Sequence, residues 1–471
     1  MKDRNVFYDP ADAKTIGQIK RVLEYINICP GFNEKIAADP EGTLKEMGLD
    51  IKPRDVSFFP FEPGKKQQLR AMYPESKGPK YADFINRKFE YLDVLKDRCR
   101  PENTAMAKWR DRQSGRCTME LGAKFTALIH APFIYEIADG CSVGCKFCGL
   151  NAGRLKSVFR YNEENAKLFN EVIRVVSEVV GRDAGAGTMY FATEPLDNPD
   201  YELFLEDYLK VFRFTPQITT AASTRNIARM HKLLETLNER QDVIYRFSVT
   251  SLEMFETIMA NFTPEELVLV ELLPQFDEAP GNGFVKSGRQ AERPDKKENP
   301  EDETEYGDTI CCASGFKLNF CRKEISLITP TWASKDHPTG EFYLDKATFT
   351  DADDLKQIML GMIRKHMLNI IGPKDRIMVR KSVTVSIDDN GKMIISSGRG
   401  SEYRLPANQN MLMYQLILDS CKGQYRTRRE VVDLVMARKS DFNDEMTPET
   451  IFYVINRLWN LGILVLESGK I

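Results

Sequence analysis

The sequence predicts an α/β protein: a parallel sheet flanked by helices, with a helical region before it and a small helix-and-strand module after it. Three observations predict this. From about residue 131, β-rich runs alternate with helical patterns. Residues 15 to about 75 carry helical periodicity alone. The stretch from about 407 to 471 holds three helical patterns and then a β-rich run.

The elements follow in order. Lys14 to Ile28 has apolar residues at helical spacing, and Pro30-Gly31 breaks it. Phe32 to Met47 resumes a helix that Gly48 can cap, and this N-terminal region runs over 1–75. Residues 76–130 read as a charged connector with helical pieces. Within 131–345, strands are expected at Phe133–Ala138, Thr188–Thr193, Gln217–Ala222, Tyr245–Ser251 and Leu267–Leu273. Helices are expected between them at Asn162–Val180, Tyr201–Phe212, Asn226–Arg240 and Leu252–Asn261. Ligands of such sheets bind at the carboxyl ends of the strands.

Residues 276–308 interrupt the alternation. The polar run Pro294 to Glu305 reads as a solvated loop, or more sharply as a lid over a substrate. Gly315–Phe320 and Glu324–Ile328 predict a closing hairpin. The extension 346–404 predicts a long amphipathic helix at Asp351–Ile371. It then predicts a hairpin of Arg376–Ile387 and Lys392–Ser397 around Asn390-Gly391. The module 405–471 has helical patterns at Met411–Cys421, Arg428–Ala437 and Pro448–Leu461, then a strand at Ile463–Glu467. That order suits a winged-helix-like unit.

Composition bounds the function. A chain of 471 residues is long enough for roughly three domains. A net charge of −3 implies no large basic surface, so a nucleic-acid partner is not expected. The start lacks an apolar signal segment, and no apolar run reaches the length of a membrane span. The expectation is a cytoplasmic protein with reduced thiols. Ten cysteines are present, with three at 141, 145 and 148 and three more at 311, 312 and 321. Clustered cysteines in that setting point to metal or redox chemistry.

The first cluster reads Ala138-Asp-Gly-Cys141-Ser-Val-Gly-Cys145-Lys-Phe-Cys148-Gly149, a CxxxCxxC loop straight after a predicted strand. Thiolates are the ligands of iron–sulfur clusters. Three ligands on a cubane leave one iron open, as a reactive metal site requires. A structural zinc site needs a fourth ligand, and no His or Cys follows closely.

This loop resembles that of the radical S-adenosylmethionine (SAM) superfamily. The resemblance implies a partial (β/α)6 barrel, one [4Fe–4S] cluster on Cys141, Cys145 and Cys148, and SAM on the open iron. It implies further that Phe147 lies near the adenine. Ala192-Thr193-Glu194-Pro195 resembles the family's "GGEP" segment, which implies that Glu194 and the backbone near Thr193 hold the methionyl amine. The Arg246-to-Leu252 segment resembles the one whose serine binds SAM, with Ser248 the first choice and Ser251 the second.

Further segments narrow the resemblance: His130-Ala-Pro-Phe133, Glu194-Pro-Leu-Asp-Asn-Pro-Asp-Tyr201 and Thr309-Ile-Cys-Cys312-Ala-Ser-Gly-Phe316. So do Arg21-Val-Leu-Glu and Phe32-Asn-Glu-Lys-Ile-Ala-Ala-Asp-Pro-Glu41. These are similar to the peptide epimerases of ribosomal natural-product biosynthesis, of the polytheonamide and proteusin type. The resemblance implies conversion of L- to D-residues in a precursor peptide with a leader, fed by an electron donor such as flavodoxin or ferredoxin. A backbone Cα–H is too weak an acid for a side-chain base, but a 5′-deoxyadenosyl radical can take it as a hydrogen atom. A thiol must then return hydrogen from the opposite face, and Cys312 is the donor by resemblance. A period-two strand points Cys311 the other way. Alternatives are thioether or C–C cross-linking, methylation, or a non-catalytic peptide-binding protein on the same fold.

Overall fold

Parallel pairing organises the middle of the chain. The computed structural model describes residues 7–56, 75–122, 131–292, 309–397, 401–405, 409–442 and 446–467. In it, strand β1 (Ala131–Glu136) is followed by the short pair β2 (Ala138–Asp139) and β3 (Ser157–Val158). Strands β4 (Thr219–Thr220), β5 (Tyr245–Val249) and β6 (Val270–Pro274) pair in parallel. Strand β7 (Ala313–Asn319) lies parallel to β1, with Phe133 opposite Phe316. It continues into antiparallel β8 (Glu324–Pro330) and β9 (Glu341–Thr348).

Two single bridges join the sheets. Ile134 pairs in parallel with Thr188, and Thr188 with Gln217. The spatial order is therefore β6-β5-β4, the Gln217 and Thr188 positions, then β1-β7-β8-β9. This is a mixed α/β fold. Among the described residues no closed barrel forms, because β6 and β7 do not pair.

The helices begin where their sequences put a cap. Asn162, Asn226, Ser251 and Asp351 each accept a hydrogen bond from the N–H three residues on. They open Glu163–Val180, Ile227–Arg240, Leu252–Asn261 and Ala352–His366, and each cap is worth about 1 kcal/mol. Phe169, Val172, Ile173, Val176 and Val180 form one buried stripe of Glu163–Val180 and join the core with Phe133 and Tyr135. Each such buried side chain stabilises by about 2 kcal/mol.

Several expectations need correction. Thr188–Thr193 is not a strand; only Thr188 bridges. The chain bends after it, and the Ala192 N–H goes to the Glu136 carboxylate (2.9 Å) rather than to a neighbouring strand. The helix expected over Phe32–Met47 is two, Phe32–Ala38 and Pro40–Glu46, because Pro40 has no N–H to continue the first. Asp39 caps the second by accepting from Gly42. The helix expected to reach Ile371 stops at His366. Strand β9 was not foreseen, since its exposed and buried positions follow no clean alternation.

The expected strand Arg376–Ile387 splits into β10 (Arg376–Val379) and β11 (Thr384–Ile387). β11 pairs with β12 (Met393–Ser396), which pairs with β13 (Glu402–Leu405). β10 leaves this hairpin and becomes the central strand between β14 (Arg426–Thr427) and β15 (Leu464–Leu466). That sheet carries the helices Gln409–Cys421, Arg428–Met436 and Pro448–Asn460. A second core joins Ile377, Val379, Ile417, Val431, Ile455 and Leu464, from both sides of residue 405. No described helix is long and apolar enough to cross a membrane.

Candidate functional site

The CxxxCxxC loop leaves the carboxyl end of β1 through β2. Gly140 makes the turn at φ +87°, and a side chain there would meet the Arg154 carbonyl at 2.2 Å. The Cys141 N–H donates to Gly153 O (2.9 Å), Leu155 N–H to Cys141 O (3.2 Å) and Asn151 N–H to Cys148 O (3.1 Å). All three thiols are half-buried. Burial pushes Cys145 up to about 11, and the neighbouring Cys148 and Cys141 push the same way. Burial also raises Cys141, against the N–H groups of Val143 and Gly144. The Ala152 N–H donates to Cys148 Sγ at 3.4 Å.

Three mutually repelling thiols with N–H groups aimed at sulfur form a donor set that suits a cationic iron cluster. Among the described residues no three or more His, Cys, Asp or Glu side chains are spaced to share one ion. The ligands of a cubane each take a different iron and do not need that spacing.

Two residues that sequence reasoning missed grip this loop. Asp197 Oδ2 accepts from the Ser142 N–H (2.8 Å), and Oδ1 from the Ser142 hydroxyl. Arg225 Nη1 donates to Asp197 Oδ1 at 3.2 Å. Asp197 stands three residues beyond Glu194, so the "GGEP"-like segment was the available signal.

Glu194 is buried and close enough to Cys141 to raise its pKa. Its Oε1 accepts from the Thr220 hydroxyl (2.6 Å) and the Leu196 N–H (3.1 Å), and its Oε2 from the Ala221 N–H (2.9 Å). Burial raises its pKa despite these bonds. Three of about four acceptor positions are thus filled from within the chain. Thr193 is half-buried beside it. Ser223, next to this network, has a fully buried hydroxyl with no partner.

Phe147 stacks on Phe284, with centroids 4.6 Å apart and planes at 21°. Beside them lies a cavity of about 280 Å³, lined by Phe147, Gly149, Leu273, Gln275, Val285 and Ile310 among others. Ser248 is half-buried on β5, on the same face as Arg246. Ser251 serves as a helix cap, accepting from the Met254 N–H (3.1 Å), which uses one of its two lone pairs.

Cys312 and Cys311 differ in kind. Cys311 is buried among Ala131, Ile134, Phe191 and Ala313. Cys312 is half-buried, and its carbonyl accepts from the Ala131 N–H at 2.9 Å. Burial raises its thiol pKa and Arg246 opposes the rise. Arg246 Nε donates to Glu271 Oε2 (3.1 Å), and Glu271 Oε1 takes Lys88 Nζ (2.7 Å). Tyr190, also within electrostatic reach of Cys312, is hydrogen-bonded to Gln217 and Thr219, each at 2.6 Å. Sequence reasoning missed Tyr190, Arg246 and Glu271, because nothing local marks residues that meet across a sheet. His130 and the run 294–305 lie outside the described residues.

These features define a mixed α/β protein with a three-thiol loop at the carboxyl end of a central parallel strand and a fourth thiol at its amino end. The chain belongs to the family of the uncharacterized protein y4wI of Sinorhizobium fredii (strain NBRC 101917 / NGR234). The two are 30% identical over 395 residues, 81% of this chain and 76% of y4wI. No protein-family model matches the chain, and no solved structure matches it.

Proposed function

We propose that the chain is a radical SAM peptide epimerase, acting on a ribosomally made precursor in the cytoplasm. The observation that carries this reading is the position of four thiols. Three converge after the carboxyl end of β1, and Cys312 stands at its amino end. Six strand residues separate these ends by roughly 17–20 Å. That separation would put the cluster loop and Cys312 on opposite sides of a bound peptide residue. The parallel order from β6 to β7, open between those two strands, supports a partial (β/α)6 barrel.

Cys141, Cys145 and Cys148 hold the cluster in this reading. The cavity beside Phe147 takes the adenosyl group, since it joins an aromatic ring to apolar walls. Glu194 has one acceptor position left for the methionyl amine, and Ser223 brings an unspent hydroxyl. When bound, cluster and SAM supply the radical that removes a Cα hydrogen, with an electron from a flavodoxin or ferredoxin. Cys312 would return its S–H hydrogen to the Cα radical from the other face, and the thiyl radical left behind would take an electron from the flavodoxin or ferredoxin and a proton from water; the buried Cys311 does not take this role. Arg246 and Tyr190 lie within electrostatic reach of Cys312. The β14-β10-β15 sheet with its helices is winged-helix-like, and its edges offer backbone groups to an extended leader.

Co-expression with a precursor in D₂O tests this. Deuterium at inverted Cα positions, with 5′-deoxyadenosine released in vitro, is the expected result. A mass loss from cross-linking, or a gain from methylation, would replace this reading with another radical modification. An intact peptide that binds without change would indicate a non-catalytic binder.

A further inference from the structure

Residues 276–292, where the strand–helix alternation was expected to break, are in part bound to the cysteine loop. Arg289 Nε donates to Cys145 O (3.0 Å) and Nη1 to Ala152 O (2.7 Å). The Arg289 N–H donates to Cys148 O (3.0 Å), and Ser287 Oγ to Gly149 O (3.0 Å). One short stretch therefore takes four carbonyls of the loop. The approach is close enough to demand glycine. Gly288 sits at φ +53°, and a Cβ there would stand 2.5 Å from Gly149 O and 2.6 Å from Cys148 O. Its N–H is tied back to Pro338 O at 2.7 Å, which anchors the stretch to the β8–β9 connection.

The same segment builds a wall of the cavity. Gly281, Gly283 and Val285 line it, and Phe284 stacks on Phe147 from inside the loop. A trans peptide points its C=O and the next N–H in opposite directions. Drawing the carbonyls of Cys145, Cys148, Gly149 and Ala152 toward this segment turns the following N–H groups away from it. The loop is thereby held in one conformation, with its thiols in fixed relation to the cavity.

We infer that residues 281–289 are a latch that joins the cofactor cavity to the thiol loop, with Arg289 as its positioning residue. Arg289 acts through the loop carbonyls and touches no reacting atom. A guanidinium spans two carbonyls with fixed geometry, which a lysine ammonium on a flexible stem does not reproduce.

The test compares the reconstituted full-length chain with Arg289→Met, Arg289→Lys and Ser287→Ala, following transfer of iron to a chelator under anaerobic conditions. Arg289→Met removes both charge-assisted hydrogen bonds of the side chain and is expected to release iron at least about tenfold faster. Arg289→Lys should fall between it and the wild type. SAM should slow release in the wild type and protect Arg289→Met less, because the latch couples the two sites. If Arg289→Met does not fold, Arg289→Lys and Ser287→Ala carry the comparison. Wild-type release rates in both Arg289→Lys and Ser287→Ala would overturn the inference. The iron readout rests on the cluster reading. If the wild type takes up no iron, that reading fails and the latch is read separately on the metal-free chain. There, iodoacetamide should label Cys141, Cys145 and Cys148 faster in Arg289→Met, and equal rates would reject the latch.

Discussion

The Ala131 N–H donates to the Cys312 carbonyl at 2.9 Å, which registers Cys312 against the amino end of the strand whose carboxyl end leads to Cys141. One strand thus sets the distance between the Cys312 position and the three-thiol loop. In the proposed epimerisation the radical and the thiol approach a peptide Cα from opposite faces, and the parallel pair of β1 and β7 would hold them apart.

Separating the two hydrogen transfers is the first prediction. Cys312→Ala should assemble its cluster, bind SAM and release 5′-deoxyadenosine, because abstraction precedes return. D-residues should fall to the background level. Epimerisation at the wild-type rate would move the assignment to Cys311 or Cys321.

Cluster stoichiometry gives the second. One cubane requires about four irons per chain. Cys141→Ala should lose both iron and SAM cleavage. About twice that iron in the wild type would mean a further cluster, with the cysteines at 311, 312 and 321 as its ligands.

A third concerns the thiol itself. Arg246 is the cation that lowers the Cys312 pKa against burial. In Arg246→Met that pull is gone, so the thiolate forms at higher pH. The pH profile of Cys312 alkylation, followed by peptide mass mapping, should shift upward. An unmoved profile would show that Arg246 does not act on Cys312.

Stability should carry a pH signature from Asp183. Burial, helped by Glu102 and opposed by Arg110, raises its carboxyl from 3.8 to about 6. A carboxyl with a raised pKa in the folded chain favours folding when protonated. Its contribution is largest below pH 4 and declines as pH rises toward 6. Asp183→Asn should flatten the Tm profile between those values, and an unchanged slope would remove Asp183 as its source.

The sequence by itself determined what depends on near neighbours. The helix starts at Asn162, Asn226, Ser251 and Asp351 follow from a cap and the N–H three residues on. The spacing of Cys141, Cys145 and Cys148 put three thiols on one loop, and Gly140 supplied its turn. Only the tertiary structure decided which distant groups hold that loop and face Cys312. Asp197 on Ser142, Arg289 on Cys145 and Ala152, Glu136 on Ala192 and Arg246 beside Cys312 each join segments far apart in the chain. The physical reason is that a cap or a turn is satisfied within a few residues and leaves a local pattern. A side chain that bonds a remote carbonyl or carboxylate finds its partner only after the sheet has brought the two together, and it leaves no periodic trace in the sequence.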